Sequence, residues 1–370
     1  MKVLFTGGGT GGHLFPIIAI IRELKKVSSE EKIDIFYAGA KDILASILLT
    51  QEGIEAKNIF TGKIRRYFSF KNFIDLFFKV PLGVVQGFFY IFFLSPDLIF
   101  AKGGYGSFPI VFAGWFLRVP IFLHESDIAP GLVNKYLDKF SIENFISFRD
   151  TEHFSSKKMI VVGNPIRKEI LKGSTKEAKK LLNLKGGKPV LLILGGSQGA
   201  ELINDIILDI LEEMLKEFEL IHQCGEKNFQ KIEIETKARL KGSQKSFYHL
   251  FPFLKEEEIK HAYAAADLII SRAGSGVIFE IAALGKPSIL IPLSNSAQNH
   301  QLKNAYNFAE GGRAIVLEEA NLTSHFFLEK LKYLFTNVYE LKSLGHNAQA
   351  WSRPRAAEII AEYIKEYLLK

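Results

Sequence analysis

Short apolar segments that run directly into glycine-rich turns constrain this chain more than any other feature. The clearest case begins with apolar residues 268–270, continues through a turn of small residues at 271–276 and then shows helical periodicity over 277–284. A buried strand, a tight turn and a helix are expected in that order. Units of this kind predict parallel sheets that are covered by helices on both faces.

Two series of such units follow one another. The first starts at residues 2–5 and the second at Pro189. We therefore predict an α/β fold with two doubly wound, Rossmann-like domains that face a cleft, since ligands of such sheets bind at the carboxyl ends of the strands. The expected domains are 1–165 and 166–350, with a C-terminal helix at about 352–370 packing back on the first domain.

Composition narrows the function classes. The formal charge of the 370 residues is +7, and the basic excess is spread along the chain, which argues against a nucleic-acid partner. Cys224 is the single cysteine, which excludes an internal disulfide and a cysteine zinc site and fits a reducing compartment.

The turn at 271–276 has the chemistry of a nucleotide site. Backbone N–H groups and the positive end of the following helix favour a phosphate or diphosphate. Glu280 lies about one turn into that helix, where side chains lean back towards the N-terminus. A carboxylate repels phosphate but suits the hydroxyl groups of a ribose.

A second glycine-rich turn, GGGTGGH at residues 7–13, follows the first strand and precedes a helical segment at 16–26. Its spacing differs from the dinucleotide fingerprint GxGxxG and from the phosphate-binding GxxxxGK[ST] pattern. His13 at its end is a candidate general base for a sugar hydroxyl, or alternatively a helix-start histidine that bonds the backbone.

Other polar residues follow predicted strands. His124 and Glu125 either contact a ligand or fix a loop by hydrogen bonds, Arg167 suits a diphosphate, and Ser197 can donate a hydroxyl to phosphate. No D-x-D pair that could hold a divalent metal follows a predicted strand, so we expect a mechanism without metal or cofactor.

The stretch between Asn58 and Phe78 is rich in aromatic residues, and basic residues directly adjoin them. One interpretation is a helix whose aromatic face belongs to the core. The other is a surface that lies on anionic lipid, with rings in the interface and cations on headgroups. The candidates for that surface are Lys63, Arg65, Arg66, Phe68, Phe73 and Phe77. The apolar stretch 73–94 contains Pro81, Gly83 and Gln86, and we do not expect it to span a bilayer.

Six motifs in order carry a resemblance to a known family. They are GGGTGGHLFP, GGYGSFP, HESDIAPGLVNK, GNPIR, LGGSQGA and SRAGSGVIFEIAALGKPSILIPL with HQLKNA, between Val3 and Ala305. Together they closely resemble the MurG family, the N-acetylglucosaminyltransferases of peptidoglycan synthesis. The resemblance implies a two-domain GT-B fold and an inverting, metal-independent transfer from UDP-N-acetylglucosamine to the C4 hydroxyl of muramoyl-pentapeptide on undecaprenyl diphosphate (lipid I), at the cytoplasmic face of the membrane.

The same resemblance assigns roles by motif. His13 would be the general base and Glu280 the ribose ligand. Both residues would be required for turnover. Leu254 would offer its backbone to uracil, and Gln301 would contact the hydroxyls of the sugar. The donor-binding residues would be Thr10, Gly11, Gly12, Asn134, Arg167, Ser197, Leu254, Ser275, Gly276, Val277, Ile278, Phe279 and Gln301. Candidates for contact with acceptor or sugar are Tyr105, His124, Glu125 and Asp127.

One departure from the family pattern concerns the second of these groups. The family often has HEQN where this chain has HESD at 124–127, so Asp127 has lost an amide donor.

Two other functions remain as alternatives to this transferase. One is a diacylglycerol galactosyltransferase of related architecture, and the other is a non-catalytic nucleotide-sugar-binding subunit. The expected partners are UDP-N-acetylglucosamine, lipid I, an anionic membrane surface and other cell-wall synthesis proteins.

Overall fold

The computed structural model describes residues 1–8, 11–62, 70–196 and 200–370; the side chain of Lys71 is also outside the description. The predicted site residues Thr10, Ser197, Lys63, Arg65, Arg66 and Phe68 therefore lie outside the described residues. The chain forms two compact units, one made of Met1–Arg167 with Pro354–Lys370 and the other of Lys168–Arg353.

Unit 1 is built on a parallel sheet of seven strands in the order β3-β2-β1-β4-β5-β6-β7. The strands are β1 (Lys2–Gly7), β2 (Asp34–Gly39), β3 (Ala56–Asn58), β4 (Leu98–Ala101), β5 (Ile121–Glu125), β6 (Glu143–Ile146) and β7 (Met159–Val161). Strands β1 to β3 are added towards one edge of the sheet, and β4 to β7 towards the other edge. The strand order therefore reverses after β3, where the chain crosses back and β4 pairs with β1. Ligands of doubly wound sheets bind where this reversal occurs, at the carboxyl ends of the strands.

Helices cover both faces of this sheet. They are α1 (Gly11–Val27), α2 (Ile43–Gln51), α3 (Phe70–Ile74), α4 (Val80–Leu94), α5 (Phe108–Phe116) and α6 (Leu132–Leu137). Helix α1 begins five residues before the proline at which the sequence pattern placed its start, so Pro16 lies inside it. His13 therefore belongs to the first turn of the helix rather than to the preceding loop.

The apolar segment before β4 is a single long helical stretch in which a π-helical turn, Asp75–Lys79, joins α3 to α4. Its inner face packs on α5, where Gly87 of α4 approaches Ile110 and Ala113. Phe73 and Phe77 are 51% and 58% exposed, so the interpretation of these rings as core is wrong. Residues Asn72–Leu94 are long and apolar enough to cross a membrane, and 17% of their most apolar window is buried.

Unit 2 contains a second parallel sheet, of six strands in the order β10-β9-β8-β11-β12-β13. The strands are β8 (Val190–Leu194), β9 (Glu219–Gln223), β10 (Tyr248–Phe251), β11 (Leu268–Ser271), β12 (Ser288–Leu290) and β13 (Ile315–Val316). The central strands β8, β9 and β11 are buried on both faces. β8 and β11 are mostly apolar, as such burial favours, whereas β9 also buries Glu219, His222 and Gln223.

The helices of unit 2 are α7 (Thr175–Leu181), α8 (Glu201–Asp209), α9 (Leu211–Glu217), α10 (Glu226–Arg239), α11 (Glu256–Ala265), α12 (Ser275–Leu284), α13 (His300–Ala309), α14 (Ser324–Thr336) and α15 (Val338–Trp351). Short 3₁₀ segments lie at Lys168–Lys172, Gly242–Phe247, Ala297–Asn299 and Glu319–Asn321. The last helix, α16 (Ala356–Leu369), belongs to unit 1, where it packs against α1 and Tyr363 donates to Glu143 at 3.0 Å.

Candidate active site

The first turn of α1 places His13 beyond the carboxyl end of β1. Gly11 is buried, Gly12 is exposed and His13 is mostly buried. Burial is the main cause that lowers the pKa of His13 to about 4; the nearby Lys102 ammonium lowers it further and the Asp127 carboxylate raises it. At neutral pH His13 is therefore an uncharged imidazole that can accept a proton.

The loop after β4 lies against this histidine. Gly103 and Gly104 have φ angles of +88° and +79°, which glycine adopts without strain. A Cβ on Gly104 would lie 3.3 Å from two atoms of the His13 ring, so the missing side chain lets the ring approach the loop closely. Tyr105 on the same loop is half-buried, and burial together with Asp42 raises its pKa.

Glu125 holds the loop that follows β5. One carboxylate oxygen accepts the N–H groups of Ser126 and Asp127 at 2.7 and 2.9 Å. The other accepts the N–H of Gly131 at 3.2 Å and Nδ2 of Asn134 at 2.7 Å. Glu125 is 4% exposed, and burial raises its pKa, with Asp127 adding to that rise. Four donors on one carboxylate make it the organising residue of this loop.

His124 and Asn134 are also turned into the protein. His124 is fully buried with Nε2 3.3 Å from the carbonyl oxygen of Gly163, and burial lowers its pKa well below the usual range. Asn134 is 4% exposed, bonded to Glu125, and packs so tightly on Gly103 that a Cβ there would lie 1.9 Å from its Oδ1. In this structure these side chains support the loop; direct contact with a ligand stays a prediction.

Arg167 is the last residue of unit 1. Its guanidinium lies 4.1 Å from the centre of the Phe15 ring, a cation–π contact with the beginning of α1. The side chain is 7% exposed. The stacked ring fixes the plane of the guanidinium, so its donors have a defined direction.

In unit 2, β11 leads through a short turn into α12. Gly274 precedes the helix with φ −70° and ψ 141°, and Ser275 is its first residue. The first N–H groups of a helix have no partner within it, so those of Ser275, Gly276 and Val277 are available to an anion at this end. Ile278 and Phe279 are buried, and the centre of the Phe279 ring lies 4.9 Å from that of Trp351 on α15, which packs against this helix.

Glu280 has a defined partner in α11. The hydroxyl of Tyr263, which is 1% exposed, donates to Oε2 of Glu280 at 2.8 Å. Part of the Glu280 side chain remains accessible. The tyrosine therefore fixes the direction of a carboxylate in the second turn of α12.

Two further residues that the sequence assigned to the donor are held by local hydrogen bonds. The N–H of Leu254 donates to Oε1 of Gln223 at 2.9 Å, which ties the loop after β10 to the end of β9. The N–H of Leu293 donates to Oε1 of Gln301 at 3.0 Å. Gln301 follows two residues in the left-handed region, Gln298 and Asn299, at φ 53° and 55°.

Among the described residues, those predicted to contact the donor or the acceptor lie at or after the carboxyl ends of the strands in each unit. Sequence reasoning missed three buried partners, Lys102, Gln223 and Tyr263, because their roles depend on contacts between separate elements. For Lys102, the two glycines that directly follow it were a local sequence signal that it lies at a functional turn. Across the described ranges, no group of three or more His, Cys, Asp or Glu side chains is placed to hold a metal ion.

Comparison with known proteins covers nearly the full length of the chain. Residues 3–145 match the glycosyltransferase family 28 N-terminal domain, and residues 190–361 match the C-terminal domain of that family. Proteins named UDP-N-acetylglucosamine–N-acetylmuramyl-(pentapeptide) pyrophosphoryl-undecaprenol N-acetylglucosamine transferase are similar. The Clostridium botulinum (strain Hall) protein is 39% identical over 99% of this chain and 99% of its own length. The Clostridium tetani protein is 39% identical over 91% of this chain and 90% of its own length.

Solved structures show the same fold. The crystal structure of Acinetobacter baumannii MurG superposes with a TM-score of 0.72 at 24% identity, covering 99% of both chains. A Neisseria meningitidis UDP-GlcNAc 2-epimerase superposes with a TM-score of 0.69 at 16% identity, covering 99% of this chain and 100% of that one. The predicted GT-B fold is confirmed. The chain belongs to glycosyltransferase family 28 and, within it, to the MurG N-acetylglucosaminyltransferases.

Proposed function

We propose that this chain transfers N-acetylglucosamine from UDP-N-acetylglucosamine to the C4 hydroxyl of the muramoyl-pentapeptide of lipid I, giving lipid II with inversion at the anomeric carbon. The observation that carries the proposal is similarity along 99% of the chain to relatives whose name states this donor and acceptor. The polar residues described above supply the groups that such a transfer needs.

Unit 2 is proposed to bind the donor. The free N–H groups at the start of α12 would hold the diphosphate, and Glu280, directed by Tyr263, would accept the hydroxyls of the ribose. The diphosphate gains negative charge as UDP leaves. Donors that are already oriented towards it stabilise that charge without reorganisation.

Unit 1 is proposed to supply the base. The C4 hydroxyl of the acceptor loses its proton to His13 while its oxygen bonds to the anomeric carbon and the bond from that carbon to UDP breaks. Because burial lowers the His13 pKa to about 4, with Lys102 adding to the fall, the imidazole is unprotonated throughout the neutral range. Asp127 beside it can stabilise the imidazolium that forms.

Transfer to a soluble lipid I analogue tests this assignment. We expect His13→Ala to lower kcat by about 100-fold or more, the usual contribution of a positioned general base. Glu280→Ala should raise the KM for the donor, with His325→Ala at an exposed position as control. Near-normal turnover of both variants would contradict the site, and transfer to diacylglycerol but not to the lipid I analogue would contradict the acceptor.

The exposed aromatic face of unit 1 is proposed to lie on an anionic membrane. Phe89, Phe92 and Phe93 on α4, and Phe116 on α5, are all more than half exposed. The opposite face of α4 packs on α5 through Gly83, Gly87 and Ile91, which leaves one side for lipid. A helix that is packed along one face fits the interface better than a bilayer crossing.

Co-sedimentation with vesicles tests the membrane proposal. The protein should bind vesicles that contain phosphatidylglycerol more strongly than pure phosphatidylcholine, and Phe89→Ser with Phe93→Ser should weaken binding to both. Reversing the charges of Lys63, Arg65 and Arg66 should remove the preference for anionic lipid. The control is Phe326→Ser, an exposed ring in unit 2. Binding that none of these changes alters would refute the proposal.

A further inference from the structure

Lys102 is a buried cation that the reaction proposed above uses only through its effect on the pKa of His13. It follows β4, and its side chain is 1% exposed. Its N–H is bonded to the carbonyl oxygen of Thr6 at 2.9 Å, so the backbone is fixed to the end of β1. Burial of an ammonium group is costly unless nearby groups offset the loss of hydration. An apolar residue of the same length would fill this space at a lower cost.

The ammonium group is anchored to the loop after β5. Nζ of Lys102 donates to Oγ of Ser126 at 2.6 Å, and that hydroxyl donates to Oδ1 of Asn164 at 2.8 Å. Ser126 is one of the two positions at which this chain departs from the HEQN pattern. A short hydroxyl side chain therefore accepts the lysine at the position where the family often has a glutamine.

Charged and titratable groups of three elements face Lys102. Burial lowers the pKa of Lys102 to about 8, although Glu125 and Asp127, at and after the end of β5, oppose that fall. His124 on β5 and His13 on α1 lie close enough for the Lys102 charge to lower the pKa of each. At neutral pH the lysine is mostly charged.

His13 is the group on which this charge acts at the proposed reaction centre. Its ring lies against Gly104, two residues beyond Lys102, and it also feels the Asp127 carboxylate. Lys102 and Asp127 thus act on His13 with opposite signs. The lysine opposes the protonation that the neighbouring carboxylate favours.

We propose that Lys102 is a positioning residue for the transfer, whose buried ammonium holds the Ser126–Asp127 loop beside His13 and sets its positive charge against the Asp127 carboxylate there. This inference rests on the proposed role of His13. It assigns a function to the paired departures Ser126 and Asp127, because the serine binds the lysine and the aspartate offsets its charge.

The test is the pH dependence of the reaction together with a direct titration of His13. In Lys102→Met, which keeps the length of the side chain but removes the charge, the acidic limb of kcat/KM should move about one unit to higher pH. The pH midpoint of the His13 signal in an NMR titration should also move to higher pH. That signal is assigned by comparison with His13→Gln. Lys102→Arg should keep the wild-type midpoint, and Lys57→Met at an exposed position is the control.

Asp127→Asn supplies a second variant with the opposite expectation, because loss of the carboxylate should move both readouts to lower pH. An unchanged His13 midpoint in Lys102→Met or, if that protein does not fold, in Asp127→Asn overturns the proposal, even if turnover falls. The NMR titration needs no substrate. It therefore tests the role of Lys102 independently of activity. Failure of the wild-type protein to glycosylate the lipid I analogue would instead refute the proposed function.

Discussion

The hydroxyl of Tyr263 donates a 2.8 Å hydrogen bond to Oε2 of Glu280, and so joins α11 to the second turn of α12. The tyrosine is buried and the carboxylate is partly accessible. A long acidic side chain that was free to rotate would lose conformational entropy on binding a ribose. The tyrosine restricts that freedom before any ligand arrives.

Replacement of Tyr263 by phenylalanine should weaken donor binding while the chemical step stays nearly intact. We expect the KM for UDP-N-acetylglucosamine to rise about threefold to tenfold, the effect of about 1 kcal/mol for the loss of one hydrogen bond. Steady-state kinetics with varied donor would show it. Tyr333→Phe, at an exposed position in unit 2, is the control. A fall in kcat at constant KM would contradict a role in ground-state binding.

Gly103 should tolerate no side chain. Its φ of +88° is unfavourable for other residues, and a Cβ would lie 1.9 Å from Oδ1 of Asn134. Gly103→Ala should therefore reduce the free energy of unfolding by about 2–4 kcal/mol, from strain and overpacking together. Gly131→Ala is a matched control in the next loop, because nothing lies within 4 Å of its Cβ position. Equal denaturant midpoints for the two variants would show that the loop rearranges to accept a side chain at position 103.

The sequence predicted the strand–turn–helix units well because each is a local pattern of apolar residues and glycines. It placed Glu280 on α12 correctly for the same reason. It could not reveal Lys102 bonded to Ser126, since those residues are 24 positions apart and meet only because β4 and β5 are neighbours. Composition also could not decide whether Phe73 and Phe77 were buried, because an apolar helix face looks the same in a core or at a surface.

Gln223 should control the shape of the loop that the resemblance assigns to uracil. Its Oε1 accepts the N–H of Leu254, and the glutamine is 5% exposed. Gln223→Ala leaves that N–H without its acceptor, and we expect UDP to bind about fivefold more weakly, equivalent to about 1 kcal/mol. Titration calorimetry with UDP measures this. Asn228→Ala, which removes a bond to the Cys224 carbonyl in the same unit, should leave UDP affinity unchanged. Equal weakening by both would point to a general loosening of the unit.

His222 should make unit 2 sensitive to acid. It is fully buried, with Nδ1 2.9 Å from the Tyr248 hydroxyl and Nε2 3.0 Å from Oδ1 of Asn204, and burial lowers its pKa to about 3. The unfolded chain takes up a proton near pH 6.5, which the folded chain does not. The stability from a neutral His222 is therefore present above pH 6.5 and is lost progressively as the pH falls from 6.5 towards 3.

His222→Gln removes this titration while it keeps polar atoms for the same partners. The variant should have a lower Tm than the wild type at pH 7.5, but its Tm should fall less between pH 6.5 and 4.5. Calorimetric melting across that range measures both effects. The exposed His325→Gln should match the wild type throughout, and His13 and His124 in unit 1 remain in all three proteins. An acid-induced fall in the His222→Gln variant as steep as that of the wild type would mean that His222 does not limit stability there.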